Sequence, residues 1–208
     1  MTIKVGLISD VHATVAPVKE AFEIFNREKT DIILCAGDIA GYGDELDETI
    51  ELLKRYKCKA IKGNHDIWYM EKNETKTSSL VEKYLQDLPL TVELEVEDRK
   101  ILMVHAHPPD AYTGGIRLLD EKGMLMTEQI INWHSLLENY DYDVIVIGHT
   151  HQVFNEMIAN TLVINPGSSK FNHSCAILEL PEMKVNWHAL SGEKIAKVWN
   201  WSSQFSNR

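Results

Sequence analysis

The sequence predicts an α/β fold of two packed mixed β-sheets flanked by helices, and three observations carry that expectation. Short apolar runs alternate with helical periodicity in the first third of the chain, and the middle switches to period two. Five apolar runs, moreover, end in side chains able to hold metal. Strands alternating with helices imply parallel pairing with right-handed crossovers, whereas period-two segments imply antiparallel hairpins.

Taken in order, Val5 to Ile8 forms the first strand. Pro17 is expected at the first helical position of the next element, and Val18, Ala21, Phe22 and Phe25 fall on one face of that helix. Ile32 to Ala36 is the second strand, the helix carrying Leu46, Ile50 and Leu53 follows, and Cys58 to Lys62 is the third strand. Ser78 to Asp87 reads as a short helix stopped by Pro89. Val92, Leu94 and Val96 then alternate with polar residues, and a turn at Asp98 and Arg99 leads into Ile101 to Val104. Pro108 to Met126 is irregular, a length of loop that is usually functional or mobile. Thr127 to Asn139 returns to helical spacing through Ile130, Ile131, His134 and Leu137, before a strand from Val144. The strands Val153 to Ile158, Leu162 to Ile164, Cys175 to Leu180 and Val185 to His188 close the chain as mostly antiparallel material. Residues 1–189 read as one domain, and 190–208 as a polar tail with Trp199 and Trp201 as candidate anchors.

A chain of 208 residues, 44% hydrophobic, can complete one core by burying roughly 70% of its unfolded surface. Its 31 acidic against 21 basic residues give a net charge of −10, which argues against a nucleic-acid or membrane-surface binder. Metal ions would supply positive charge where Lys and Arg do not. Cys35, Cys58 and Cys175 have no metal-site or disulfide spacing and read as thiols of a reducing compartment. The run from Val5 to Ile8 is broken by Ser9 and Asp10, too early for a signal peptide or a span. The expected location is cytoplasmic. A homo-oligomer is compatible with the sequence.

The five strand ends carry Asp10 and His12, then Asp38, then Asn64 and His65, then His105, and finally His149 and His151. In open α/β sheets, sites are built at the carboxyl ends of strands. Asp10-x-His12, Gly37-Asp38-x-x-Gly41, Gly63-Asn64-His65-Asp66, His105 and Gly148-His149-x-His151 together resemble the calcineurin-like metallophosphoesterase superfamily. Within it the chain is similar to the small bacterial and archaeal phosphodiesterases, being short, lacking a cap and carrying Asn165-Pro166-Gly167-Ser168.

The resemblance covers residues 3 to about 180 and implies the four-layer α/β/β/α sandwich of that family. It implies two divalent metal ions, one held by Asp10, His12 and His151 and the other by Asn64, His105 and His149, with Asp38 bridging. Mixed imidazole, carboxylate and amide ligands favour manganese, iron, zinc, nickel or cobalt over calcium or magnesium, manganese being the first expectation. The implied reaction is attack of metal-bound hydroxide on a small or nucleotide-like phosphoester, with His65 as general acid and Asp66 orienting it. A phosphodiesterase is the leading expectation, a phosphomonoesterase or dinucleotide polyphosphate hydrolase the alternative. A binding scaffold like the retromer sorting subunit ranks below both, because every ligand and His65 are present.

Two departures narrow the substrate. Asp38 is followed by Ile39, Ala40 and Gly41, not by the Asp-Arg-Gly of the phosphoprotein phosphatases, so their phosphate-gripping arginine is missing. Ala106 replaces the usual glycine after His105. His134, His173 and His188 are expected to be satisfied structural groups, His134 on the apolar face of its helix. His107 either lines the site or caps its loop. Arg117 is the one cation of the 108–126 loop suited to phosphate. Gly41, Gly43, Gly63 and Gly148 are expected in tight turns with positive φ.

Overall fold

The computed structural model describes residues 2–73 and 80–200. The first sheet has the order β10-β9-β1-β2-β3, built from Lys184–Ala189, Ser174–Leu180, Ile3–Ile8, Ile32–Cys35 and Lys59–Ala60. The second runs β4-β5-β6-β8-β7, from Thr91–Val96, Arg99–Val104, Val144–Val146, Thr161–Pro166 and Val153–Ile158. Strands β1, β2 and β3 are parallel, as are β5, β6 and β8, while β9, β10, β4 and β7 add antiparallel edges. Both sheets are therefore mixed, as expected.

Alternation along the strands makes the layers. Val5, Leu7 and Leu34 of the first sheet meet Ile101, Met103, Val144 and Val146 of the second in a core between the sheets. Ile8, Cys35 and Ile177 point the other way, against Val18, Phe22 and Phe25 of α1 (Val15–Arg27) and Ile50 and Leu53 of α2 (Leu46–Arg55). Leu85, from α4 (Leu80–Asp87), joins the same outer core. The outer face of the second sheet packs on α5 (Thr127–Leu137) and on Ile116 and Leu118 of the long loop. Two sheets between two helical layers result.

Four local expectations need correction. Pro17 is the third helical residue, since α1 begins at Val15; a proline anywhere in the first turn lacks only an N–H that has no intrahelical partner. A helix, α3 (Asn64–Asn73), starts where the sequence reading assigns no element. Its apolar residues Ile67 to Met70 are contiguous, so they carry no 3.6-residue stripe to announce it. Helix α5 turns Ile130, Trp133 and Leu137 inward, leaving Ile131 and His134 exposed. His134 instead lies near Glu138 one turn on, 3.8 Å away. The third strand, finally, is only Lys59–Ala60. Ser78 and Trp201 lie outside the described residues.

Asp143 ties the two central strands of the second sheet at their start. Its carboxylate accepts from the Lys100 backbone N–H at 2.9 Å and the Arg99 guanidinium at 2.8 Å. The Lys100 amide, against partial burial and with help from Arg99, holds its pKa below the usual carboxylate range. A depressed folded pKa contributes stability above the unfolded value of about 4 and loses it as pH falls through the folded value. Asp143→Ala should therefore cost about 1 kcal/mol at pH 7, after allowance for partial exposure. Thermal denaturation should show the gap to wild type closing below about pH 4; a gap independent of pH would refute the assignment.

Candidate metal centre

The carboxyl ends of β1, β2, β5 and β6 and the start of α3 converge on one point. Loop backbones lock there: Asp10 N–H donates to Gly37, His12 N–H to Asp38 and Gly148 N–H to His105, at 3.0, 3.0 and 2.8 Å. Asp10, His12, Asp38, His149 and His151 all take positive φ, between 47° and 65°. Such conformations cost on the order of 1–3 kcal/mol each in a non-glycine residue and persist where the surroundings enforce them. Their gathering at one site turns side chains inward that extended backbone would aim elsewhere.

Glycine serves a different need here from the one expected. Gly41 has φ +108°, but among the other three no positive φ occurs at Gly43, Gly63 or Gly148. Those positions are crowded: a Cβ on Gly63 would strike the Asp38 carboxylate, and one on Gly148 would lie 2.6 Å from Asp10 Oδ2.

Three groups of side chains offer ligand atoms lying within 4.8 Å of one another: Asp10, His12 and His151; Asp38, His105 and His149; and His12, Asp38 and His65. Asp10 and Asp38 are withdrawn from water. Burial pushes both carboxylates up, but the neighbouring imidazoles outweigh it, His151 for Asp10 and His105 for Asp38, so both are held low and ionised. Burial drives His12 and His149 down to about 4, leaving neutral rings. His105 is as deeply buried, yet the Asp38 charge and hydrogen bond outweigh desolvation and raise it to about 9.

Ring orientation supplies the test of fit for a cation. The His105 Nδ1 lies 2.6 Å from the Ala36 carbonyl and the His12 Nδ1 3.2 Å from that of Ala40, so each Nδ1–H donates outward. Each Nε2 is then aimed into the site. His105 Nε2 meets the Asn64 amide oxygen at 3.1 Å and Asp38 Oδ1 at 3.4 Å; His12 Nε2 meets His151 Nε2 at 3.2 Å. A neutral His12 ring whose Nε2 faces His151 Nε2, beside two ionised carboxylates, is reconciled by a shared cation, and an outward Nδ1–H to a carbonyl is the usual support of a metal-bound histidine. The Asn64 amide oxygen lies 2.8 Å from His149 Nδ1 and belongs to the same cluster. The donor set fits divalent metal.

His65 differs. Its ring is half-buried between Tyr42, centroids 4.6 Å apart, and Trp68, at 4.9 Å, and makes no hydrogen bond among the described residues. Its backbone N–H donates to Asp38 Oδ1 at 2.8 Å. Asp66 does not orient that ring. Its oxygens accept from the Ala40 and Gly63 backbone at 2.7 and 2.8 Å, which fastens the Asp38 loop to the start of α3. Burial, with the Asp38 charge, raises Asp66 to about 7.

Other residues support the site, and of these Ser9 and Asn172 had no role assigned from the sequence. The Ser9 hydroxyl donates to Asp10 Oδ2 at 2.5 Å. Asn165 donates to the Gly148 carbonyl and Thr150 hydroxyl, and the Ser168 hydroxyl donates to the Asp10 carbonyl. The Asn165-Pro166-Gly167-Ser168 segment is thus a brace under the site. Asn172 donates to the His151 and Ala196 carbonyls. The tail reaches the site as well: the Trp199 ring stacks on Phe171 with centroids 4.0 Å apart, and the Trp199 backbone N–H donates to the His151 carbonyl. Only the pairing of polar turn residues with distant loops could have exposed these roles. His107 caps its own loop, with Nδ1 donating to the Pro108 carbonyl at 2.8 Å. The buried Nδ1 of His173 has no partner among the described residues, contrary to expectation.

The sequence model of the calcineurin-like phosphoesterase superfamily domain matches residues 3–182. The chain belongs to this superfamily. A phosphodiesterase of Methanocaldococcus jannaschii is 24% identical over 170 residues, 79% of this chain and 83% of that protein. A protein of the same organism described as a probable metallophosphoesterase is 30% identical over 172 residues, 80% and 68% of the two chains. A metallophosphoesterase structure from Sphaerobacter thermophilus shares the fold, with TM-score 0.68, 20% identity and coverage of 91% and 89%. This phosphoesterase is a phosphoric ester hydrolase of a family that uses divalent metals. No helix among its described residues is long and apolar enough to cross a membrane.

Because Gly63 admits the Asp38 carboxylate, Gly63→Ala should preserve the circular dichroism spectrum yet weaken binding of added manganese by about tenfold or more. Titration calorimetry measures this, and undiminished affinity would show that Asp38 has room to move.

Proposed function

We propose that this phosphoesterase is a phosphodiesterase that works with two divalent metal ions on small or nucleotide-like diesters. The observation that carries the reading is the place of Asp38 between donor groups: it shares one with His105 and His149, while Asp10, His12 and His151 form another alongside it. Asp10, His12 and His151 would hold one ion, Asn64, His105 and His149 the other, and Asp38 both. Manganese suits this mixed set, with iron, zinc, nickel and cobalt as alternatives. The relative named a phosphodiesterase supports a diester, as does the absence of the Asp-Arg-Gly element after Asp38. Three free cysteines, two of them buried, support a cytoplasmic setting.

When bound, the ions supply positive charge against the charge that develops on the phosphoryl oxygens and acidify water. The protein does the rest. Ionised Asp10 and Asp38 are kept dry, and the outward hydrogen bonds of His12 and His105 fix which ring nitrogen faces the ligand cluster. His65 lines the substrate cleft, a cavity of about 220 Å³ shared with Trp68, Arg117 and His149. Its ring, not fastened outward as those of His12 and His105 are, is the proton donor to the departing ester oxygen.

Hydrolysis of bis(p-nitrophenyl) phosphate should require added manganese, stop with chelator, and fall by at least about 10³-fold in Asp38→Ala. Chelator-insensitive turnover would sink the reading, and faster turnover of monoesters or dinucleotide polyphosphates would redirect it. For His65→Ala, kcat should drop about 10²–10⁴-fold on a diester with an alkoxide leaving group and much less on the p-nitrophenyl diester. Metal content should stay at the wild-type level; its loss would make His65 a ligand.

A further inference from the structure

The cleft carries two groups that neither folding nor metal binding accounts for. Trp68 lies one helical turn beyond Asn64 on the same face of α3, beside His65, and remains 50% exposed. A tryptophan left half in water at a cleft rim forgoes burial that would stabilise the fold and offers a flat face for stacking. Arg117, from the long loop, lines the same cavity. It makes no ion pair or hydrogen bond among the described residues, in a chain of net charge −10.

Its placement is rigid. Ile116 and Leu118 on either side are fully buried, so Arg117 must project outward from the core. The backbone around it is pinned: Ile116 O accepts from the Thr150 hydroxyl at 3.2 Å, and Leu118 N–H donates to the Gln152 side chain at 2.8 Å. Gly115 lies so close to His149 that a Cβ there would come within 2.9 Å of the ring. A guanidinium with no partner among the described residues is thus held next to His149, in the cavity that the half-exposed Trp68 also lines.

Building on the phosphoesterase reading of the cleft, we propose that Trp68 and Arg117 form a specificity subsite for the part of the substrate that is not hydrolysed. Trp68 stacks on a planar aromatic ring, and Arg117 forms a two-pronged hydrogen-bonded pair with an anionic group beyond the reacting phosphate. The substrate class is a nucleotide-type ester that carries a base and more than one phosphate. Arg117 lies outside the motif residues, on the irregular 108–126 loop, and Trp68 is on a helix that the sequence pattern does not announce.

The test is equilibrium binding of ADP, adenosine and orthophosphate to the full chain with manganese present, alongside diester turnover. Wild type should bind ADP more tightly than orthophosphate. Trp68→Ala and Arg117→Ala should each lower ADP affinity, relative to orthophosphate, by about tenfold or more. Trp68→Phe should stay within about threefold of wild type, because a ring still stacks. Adenosine binding should respond to Trp68 and not to Arg117. ADP bound no better than orthophosphate, or both variants weakening the two ligands in parallel, would overturn the subsite. Binding in the expected pattern without diester hydrolysis would leave the subsite standing and remove the phosphodiesterase reading. Hydrolysis with unaltered ligand ratios would do the reverse.

Discussion

Asp10 and Asp38 are carboxylates almost wholly removed from water at the ends of neighbouring parallel strands, and the rest of the structure answers to that constraint. An unpaired buried carboxylate costs several kcal/mol after relaxation. Here imidazoles surround the pair, with His105 raised and His12 and His149 lowered by burial. Charge balance in such a cluster is incomplete without a cation. The left-handed backbone at five of its members is strain that the loop hydrogen bonds enforce, and burial of the sheets beneath offsets it.

The two-sheet architecture explains why the site is both rigid and open. Asp10 and Asp38 come from the first sheet, His105, His149 and His151 from the second. Packing of Leu7 and Leu34 against Met103 and Val146 sets the distance between the two ligand banks. Asn165, Ser168 and Asn172 then stitch the loops together, and the tail closes over His151 through Trp199. Helix α3 contributes Asn64, His65 and Trp68 from one and a half turns, so the proposed metal ligand, the proposed proton donor and the cleft wall sit on one rigid element. Such a fold hosts more than one function, and it is the ligand geometry that carries the chemical reading.

Much of this was legible in the chain. Apolar runs ending in Gly-Asp, Gly-Asn-His or Gly-His marked the strand ends, because a strand that stops at a site must turn tightly and present polar groups together. The sheet order was less accessible: β9 and β10 return to the first sheet, on the far side of β1, by long-range pairing that no local pattern encodes. Helix α3 lacked an apolar stripe, and the inward face of α5 was misplaced because Ile131 and His134 satisfy the same spacing as Ile130 and Trp133. Asp66 looked like a partner of its neighbour His65. Adjacent helical residues point about 100° apart, and its carboxylate goes to the backbone instead. The glycines were found for the wrong reason at Gly63 and Gly148, where contact with carboxylates, and not φ, forbids a side chain.

The central claim is that Asp38 is shared by two cations, and anomalous diffraction from crystals grown with manganese tests it most directly. The account requires two anomalous peaks per chain, about 3.5–4 Å apart, with the Asp38 carboxylate between them, Asp10, His12 and His151 around one, and Asn64, His105 and His149 around the other. A single peak, or two peaks of which only one touches Asp38, would contradict it.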